Sequence, residues 1–331
     1  MKAAYIEQTG GPEVIQYGEL PTPTPGEGEV LVRVGAVSVN PIDTYIRSGA
    51  VAMPLPKPFI VGCDLAGTVE AVGPGTHRFT PGQRVWGSNQ GLLGRQGTFA
   101  EYACVAEQYL YESPAEIRDP DLAAVALVGI TAHLGLFRTA RLDQGETIFV
   151  NGGAGGVGSM VVQMAKAVGA RVITTAGSPE KVALCQDLGA DLVVNYRTDD
   201  LPAAIQQFTQ NRGVDVWFET LREPNFLRTV ELMARRGRIV IIAGRQAQPI
   251  FPVGPFYTRD LAVLGYAMFN ATPDEQSVCA TDINTWLVEG KLRAVIGRHL
   301  PLSETAQAHR IQEENTLRQA GTLHGKIVLT P

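Results

Sequence analysis

Short apolar runs separated by glycine- and proline-rich breaks divide this chain into three blocks. Over residues 1–120 the runs are brief and partly alternating. Val30–Val39 (VLVRVGAVSV) is the clearest, and Ala66–Val72 and Arg84–Trp86 follow it; period two with much valine predicts strands. Pro21, Pro23, Pro25, Gly26, Gly28, Gly73, Pro74, Gly75, Pro81 and Gly82 punctuate them, which predicts a mostly-β, partly open barrel or sandwich. Residues 121–144 turn helical in pattern. Strands and helices then alternate. Strands are predicted at Thr147–Val150, Arg171–Thr175, Leu192–Val194, Val214–Phe218 and Arg238–Ala243, and helices at Pro179–Leu188, Leu201–Asn211 and Asn225–Arg235. That order predicts a doubly wound parallel sheet of the Rossmann kind, an α/β fold. Leu261–Tyr266 reads as its edge strand and Pro273–Glu289 as a further helix. The tail returns to strand, helix, strand at Ala294–Leu300, Ser303–Asn315 and Lys326–Leu329. The expected division is a β-rich domain over 1–124, an α/β domain over 125–268, and a return to the first over 269–331.

The junction of Thr147–Val150 with the next helix carries the strongest chemical signal. Gly152, Gly153, Ala154, Gly155, Gly156, Val157 and Gly158 link the strand to SMVVQMAKAVGA, whose Val161, Met164, Ala165 and Val168 recur at helical spacing. Strand, glycine loop, helix and strand in about thirty residues make Gly153-x-Gly155-x-x-Gly158 a dinucleotide fingerprint. Gly153 is expected to allow the tight turn, Gly155 the approach of a pyrophosphate, and Gly158 the closure of helix on strand. The helix's unpaired N–H groups and positive dipole end then face the phosphates.

Composition narrows the setting. The chain has 331 residues, 45% hydrophobic and 18% charged, with net charge −5; no Lys/Arg cluster suggests a nucleic-acid or anionic-membrane surface. No unbroken apolar run reaches the roughly 18 residues of a membrane span, and MKAAYIEQTGG lacks a signal peptide's apolar core. Cys63, Cys104, Cys185 and Cys279 form no CxxC pair. A reduced, cytoplasmic protein is expected.

Four segments then carry a resemblance. NPIDTYIRSG (Asn40–Gly49), GCDLAGTVEAVG (Gly62–Gly73), GGAGGVG and the closing GKIVLTP resemble the zinc-free medium-chain dehydrogenase/reductases, and among them the zeta-crystallin-like quinone oxidoreductases. The similarity runs nearly end to end. It implies a GroES-like barrel domain, a Rossmann domain, and an active site in the cleft between them. The superfamily's zinc alcohol dehydrogenases use a Cys, a His–Glu pair and a second Cys; the matching positions here are Asn40, Cys63 with Asp64, and about Leu127. One thiol and an amide do not make a three-ligand zinc site, so no metal is expected.

The cofactor follows from the second strand. No Asp or Glu stands where a ribose 2′-OH acceptor belongs, because the chain there reads Ala176-Gly177-Ser178. Lys181 one turn on, and Tyr196–Arg197 after the next strand, offer the donors that a 2′-phosphate needs. The small Gly177 and Ser178 leave room for that phosphate, and the resemblance places Gly177, Lys181 and Tyr196 around it, so NADPH is expected. It also places Ile242, Ala243, Gly244, Arg245, Ala267, Met268 and Phe269 beside the nicotinamide, with Thr131 at a helix start facing the cleft. The resemblance also sets Asn40 and Tyr45 near the nicotinamide and substrate, where they are expected to hydrogen-bond a substrate oxygen or, for Tyr45, to stack on a ring as a flat apolar wall, with Asp43 a structural acceptor. Val51 replaces a family tyrosine and implies a more apolar entrance. The expected activity is NADPH-dependent reduction of quinones. Two alternatives stay open: reduction of alkenals, enones or enoyl groups, and a non-catalytic structural or RNA-binding role. The apolar Leu261–Tyr266 lacks the Lys or Pro that guards an edge strand, which predicts a homodimer.

Overall fold

The alternating run at Val30–Val39 becomes the strand on which the first unit is assembled. The computed structural model describes all 331 residues and separates into two units, Met1–Leu127 with Thr272–Pro331, and Val128–Ala271. The expected boundaries after 124 and 268 fall three residues short of these. In chain order the elements are β1 (Lys2–Ile6), β2 (Gln16–Glu19), β3 (Glu29–Val39), α1 (Pro41–Ser48), β4 (Phe59–Ile60), β5 (Leu65–Val72), β6 (Arg84–Gly87), β7 (Tyr102–Ala106), β8 (Leu110–Glu112), α2 (Asp119–His133), β9 (Thr147–Asn151), α3 (Gly156–Ala167), β10 (Arg171–Ala176), α4 (Pro179–Asp187), β11 (Leu192–Asn195), α5 (Leu201–Thr209), β12 (Val214–Glu219), α6 (Phe226–Leu232), β13 (Met233–Ile241), α7 (Val253–Tyr257), β14 (Ala262–Gly265), α8 (Pro273–Val288), β15 (Ile296–Pro301), α9 (Thr305–Thr316) and β16 (Lys326–Thr330).

In the first unit one sheet runs β15-β16-β3-β5-β6-β8, and β1 joins β2 and β4 in a smaller one. The eleven-residue β3 is long enough to hold two partners on one edge: β7 pairs with Glu29–Arg33, and β16 with Val37–Val39. Its inward valines Val30, Val32, Val37 and Val39 are fully buried in a core with Leu65, Phe99 and Ile327. The pairing with β16 is the step that carries the C-terminal Lys326 to the end of β3. Helix α1 went unread in the pattern, yet its signals are present. Pro41 stands at its first position and Gly49 ends it at φ +80°, the usual asymmetry of helix ends.

The second unit is one parallel sheet in the order β11-β10-β9-β12-β13-β14. The chain runs outward from β9 to β11 and then crosses back to β12, so the order reverses between β9 and β12. Phe149, Trp217, Ile173 and Ile239 fill its core, the first two with ring centres 4.0 Å apart. Helix α6 ends at Leu232, short of the expected Arg235, because the Arg259 guanidinium donates to the carbonyls of Val230, Glu231 and Met233. A cation on the last carbonyls of a helix favours its termination there.

Helix α2 continues as a π-helical segment, Leu134–Thr139. Asp119–Thr139 is long and apolar enough to cross a membrane by length and composition, with mean hydropathy 1.6. Counting unbroken apolar runs misses it. Since 78% of that window is buried inside the protein, it is accounted for as a core helix.

Candidate active site and dinucleotide loop

In the second unit, β9 ends at Asn151 and the chain turns at Gly152, whose φ is +84°. The turn therefore belongs to Gly152, just ahead of the fingerprint. Gly153 is required for a different reason: a Cβ there would lie 2.2 Å from Thr174 Oγ1. A Cβ on Gly158 would lie 2.1 Å from the Gly152 carbonyl oxygen, so helix and strand close up only on glycine. Gly155 is exposed, caps α3, and has no neighbour nearer than 3.4 Å to such a Cβ. Ala154, within the loop, is buried in a small cluster with Ala176 and Cys185. The first N–H groups of α3, from Gly156, Val157 and Gly158, have no intrahelical acceptor, and they join the dipole in favouring an anion.

At the end of β10 the backbone offers Ala176, Gly177 and Ser178, with Ser178 capping α4 by accepting from the Lys181 N–H. The Tyr196 hydroxyl stands over Gly177, 2.1 Å from where a Cβ would be. Burial, and then the neighbouring Arg197 guanidinium, hold the Lys181 pKa below the usual lysine value. Two cations and a phenol thus gather at the end of β10, where residues 176–178 include no Asp or Glu.

Ile242–Arg245 follow β13 and Ala267–Phe269 follow β14, at the carboxyl ends where open α/β sheets bind ligands. Gly244 has φ +89° and lies against the Arg222 carbonyl. Met268 is buried and Phe269 exposed. Thr131 corrects its expectation: it sits two residues before the end of α2, not at a helix start. Its carbonyl accepts from the Tyr266 hydroxyl, and its buried Oγ1 has no hydrogen-bond partner.

The first unit holds a buried polar cluster. Asn40 is fully buried; its Nδ2 donates to Asp64 Oδ2 at 2.7 Å and its Oδ1 accepts from Lys326 Nζ. Lys326 also donates to the Val39 carbonyl at 2.6 Å. Asp64 accepts in addition from Ser38 at 2.8 Å and Ser88 at 2.6 Å. Burial raises the Asp64 pKa, countered by Lys326 and by these hydrogen bonds. Asp43 Oδ2 accepts from the Asn40 N–H at 2.7 Å, an acceptor's role at the start of α1. Burial, with the Asp64 charge adding to it, pushes the Asp43 pKa up to about 7 against hydrogen bonds from Cys63 and Asn40. Burial pushes the Cys63 thiol well above the ordinary thiol value.

Asn40 was expected to donate to a substrate oxygen, and this geometry corrects that. Its amide is engaged at both ends inside the unit, so it brackets the start of α1. Tyr45 of the expected pair is half-buried on α1. Arg47 is fully buried and pairs with Glu313 of α9. Val51 packs on the edge of the core.

Residues 26–115 match the alcohol dehydrogenase GroES-like domain, and residues 156–282 the zinc-binding dehydrogenase family. Human quinone oxidoreductase is 32% identical over 330 residues, 99% of this chain and 97% of that protein. The chain belongs to the zinc-free quinone oxidoreductases of the medium-chain dehydrogenase/reductase superfamily. Within the wider group, a 2-haloacrylate reductase of Burkholderia sp is 30% identical over 93% of this chain and 94% of that protein. Among solved structures, Escherichia coli quinone oxidoreductase complexed with NADPH superposes with a TM-score of 0.87 at 26% identity, covering 100% of both chains.

Although one matched family is described as zinc-binding, the side chains here do not fit zinc. Asp64 is filled by three donors, Asn40 by Lys326, and no three His, Cys, Asp or Glu side chains converge. A buried ammonium next to the Asn40 oxygen also opposes a second cation. A dinucleotide phosphate does fit the second unit, through the glycine cradle and the donors at the end of β10. Lys326 and Asp64 escaped the sequence reading as partners of Asn40. Their separation along the chain hides them, and the buried Lys in GKIVLTP was the available signal.

Proposed function

We propose that this protein is an NADPH-dependent quinone oxidoreductase that works without a metal. The observation that carries the reading is the end of β10, where Lys181, Arg197 and Tyr196 gather and residues 176–178 include no Asp or Glu, in a chain that matches a quinone oxidoreductase end to end. NADPH, when bound, supplies a hydride to an electrophilic carbon. The chain's own part is to bind and orient. The Gly152–Gly158 loop and the start of α3 hold the pyrophosphate, and Lys181, Arg197 and Tyr196 hold the 2′-phosphate. Ile242–Arg245 and Ala267–Phe269 border the nicotinamide. The Tyr45 hydroxyl donates to the substrate oxygen on which charge grows, while Asn40, held by Asp64 and Lys326, fixes the start of α1. The Burkholderia likeness favours a second reading in which the hydride goes to a C=C bond conjugated to a carbonyl. A net charge of −5 argues against an RNA partner. Oxidation of NADPH against a panel of quinones and enones, with NADH alongside, tests the reading. Faster turnover of enones than of any quinone selects the second reading, and preference for NADH overturns the cofactor.

The assembly proposed is a homodimer through β14. This strand is the sheet's edge, Val263 on it is 37% exposed, and the preceding Ile250, Val253 and Tyr257 are 64–75% exposed. Val263→Lys is expected to shift sedimentation toward monomer, and a wild-type monomer near 35.5 kDa overturns the proposal. A reduced, cytoplasmic setting is also proposed, supported by four free thiols.

A further inference from the structure

We infer that Glu219 is a positioning residue for the dinucleotide loop, acting through Asn151 and Thr175 on the Gly152 turn. The inference rests on the dinucleotide reading of that loop. Glu219 ends β12, Asn151 ends β9, and the two are register partners where the strand order reverses. Glu219 is 2% exposed and Asn151 5% exposed. Asn151 Nδ2 reaches both carboxylate oxygens, at 2.9 and 3.1 Å. The Leu221 N–H at 2.9 Å and the Trp217 indole N–H at 3.1 Å complete the set.

Every partner of Glu219 is a donor, and that fixes the direction of all that follows. An amide's two ends are set by their neighbours, and the carboxylate accepts only from the nitrogen end of Asn151. Asn151 Oδ1 therefore faces Thr175, whose hydroxyl donates to it at 3.0 Å. With its proton committed there, Thr175 Oγ1 presents a lone pair to the Gly152 N–H at 2.9 Å. The Gly153 N–H reaches the Thr175 carbonyl at 3.2 Å, and the Thr220 hydroxyl donates to the Asn151 carbonyl. The residue that turns the loop, at φ +84°, is thus held by a one-way relay that starts at a buried charge. An amide in place of Glu219 loses that direction, since Asn151 is then free to turn over and offer Thr175 a donor.

The test uses full-length Glu219→Gln, Asn151→Asp, the double variant and Thr175→Val. NADPH affinity is followed by fluorescence, steady-state kinetics with a quinone are measured, and the cofactor-free protein is melted by circular dichroism. Glu219→Gln is expected to raise the NADPH Kd about tenfold, the scale of one charge-assisted hydrogen bond, and to raise the KM for NADPH more than it lowers kcat. Asn151→Asp sets two carboxylates together and binds more weakly still. The double variant, in which the amide of residue 219 donates to the carboxylate of residue 151, recovers part of the loss. Thr175→Val removes the relay at the loop end without touching the buried charge, and gives the same rise in Kd even if Glu219→Gln does not fold. An unchanged Kd in Thr175→Val overturns the inference. A Kd that weakens only in step with the melting temperature, with no recovery in the double variant, also overturns it. A wild-type protein that binds no dinucleotide sinks the cofactor reading, and this inference with it.

Discussion

The dinucleotide loop of the second unit and the polar cluster of the first are held in shape by opposite means. The loop is contiguous backbone, Asn151 to Gly158, and its chemistry is a row of N–H groups made available because side chains are absent. Its tolerances are steric, since Gly153 and Gly158 are each within 2.2 Å of a collision that any Cβ would cause. The cluster is made of side chains from four places, Ser38–Asp43, Cys63–Asp64, Ser88 and Lys326, joined because β5 pairs with β3, β6 with β5, and β16 with the end of β3. Its tolerances are electrostatic: two buried carboxylates share one ammonium. A site of the first kind fails when something is added, and a site of the second kind fails when something is removed.

The largest effect is therefore expected from adding atoms to the loop. Gly158→Val forces helix and strand apart against the Gly152 backbone oxygen, 2.1 Å from the new Cβ. No flexible side chain is there to give way. NADPH binding is expected to weaken by about two orders of magnitude or more, the scale reached when small displacements disturb a positioned group. Titration by fluorescence checks it, and near wild-type affinity would mean that the loop tolerates bulk after all.

Removing the ammonium is the matching attack on the cluster. Lys326→Met keeps the length of the side chain but leaves Asp64 and Asp43 buried without a cation. Breaking one partner from a buried ion pair costs about 3–5 kcal/mol, so a clear drop in melting temperature is expected. The loss should be larger at pH 8 than at pH 5, because only the ionised carboxylates miss the cation. An unchanged melt would show that the two carboxylates are neutral in the folded protein.

These two variants also mark what a reader of the bare chain is able to find. Glycine spacing between a strand and a helix is local, so the loop, the parallel sheet and the missing acid after β10 were all legible. Even there the turn residue was misassigned to Gly153, because positive φ at Gly152 is a property of geometry and leaves no mark beyond the glycine itself. The bracket on Asn40 was not legible, since Asp64 and Lys326 lie 24 and 286 residues away. Helix α1 was missed for a milder reason: its eight residues directly follow the valine-rich β3, and only Pro41 and Gly49 mark its ends. Thr131 was displaced because α2 runs without a break through the point where the two units divide.

Tyr45→Phe asks whether the first unit contributes a donor at all. Loss of one hydrogen bond to a developing charge costs about 1.5–3 kcal/mol in turnover, roughly a tenfold to hundredfold fall in kcat. Affinity for NADPH should not move, which distinguishes this variant from any in the loop. Unchanged kcat leaves Tyr45 as a half-buried wall. Lys181→Ala is milder and falls only on the cofactor. The KM for NADPH is expected to rise about tenfold, as for one charge-assisted contact, while that for NADH stays where it was. Equal effects on both cofactors would remove Lys181 from the 2′-phosphate.

The smallest effect expected is a pH slope that belongs to Asp43 alone. Burial first, and then the Asp64 charge, raise its pKa from the ordinary value of 3.8 to about 7. Between those two values the unfolded chain has released the proton that the folded protein keeps. Stability therefore falls as pH rises through this window, and levels off above about 7. Cys63, the Asn40 N–H and Lys326 face the same carboxylate and hold that value below what burial alone would set. Asp43→Asn keeps an oxygen for the Asn40 N–H but has nothing to titrate. Its melting temperature relative to wild type is accordingly expected to be least favourable near pH 4.5 and to improve steadily toward pH 8. A difference that is flat across that range would mean that Asp43 is already ionised at low pH, with Lys326 and the Asn40 N–H outweighing burial.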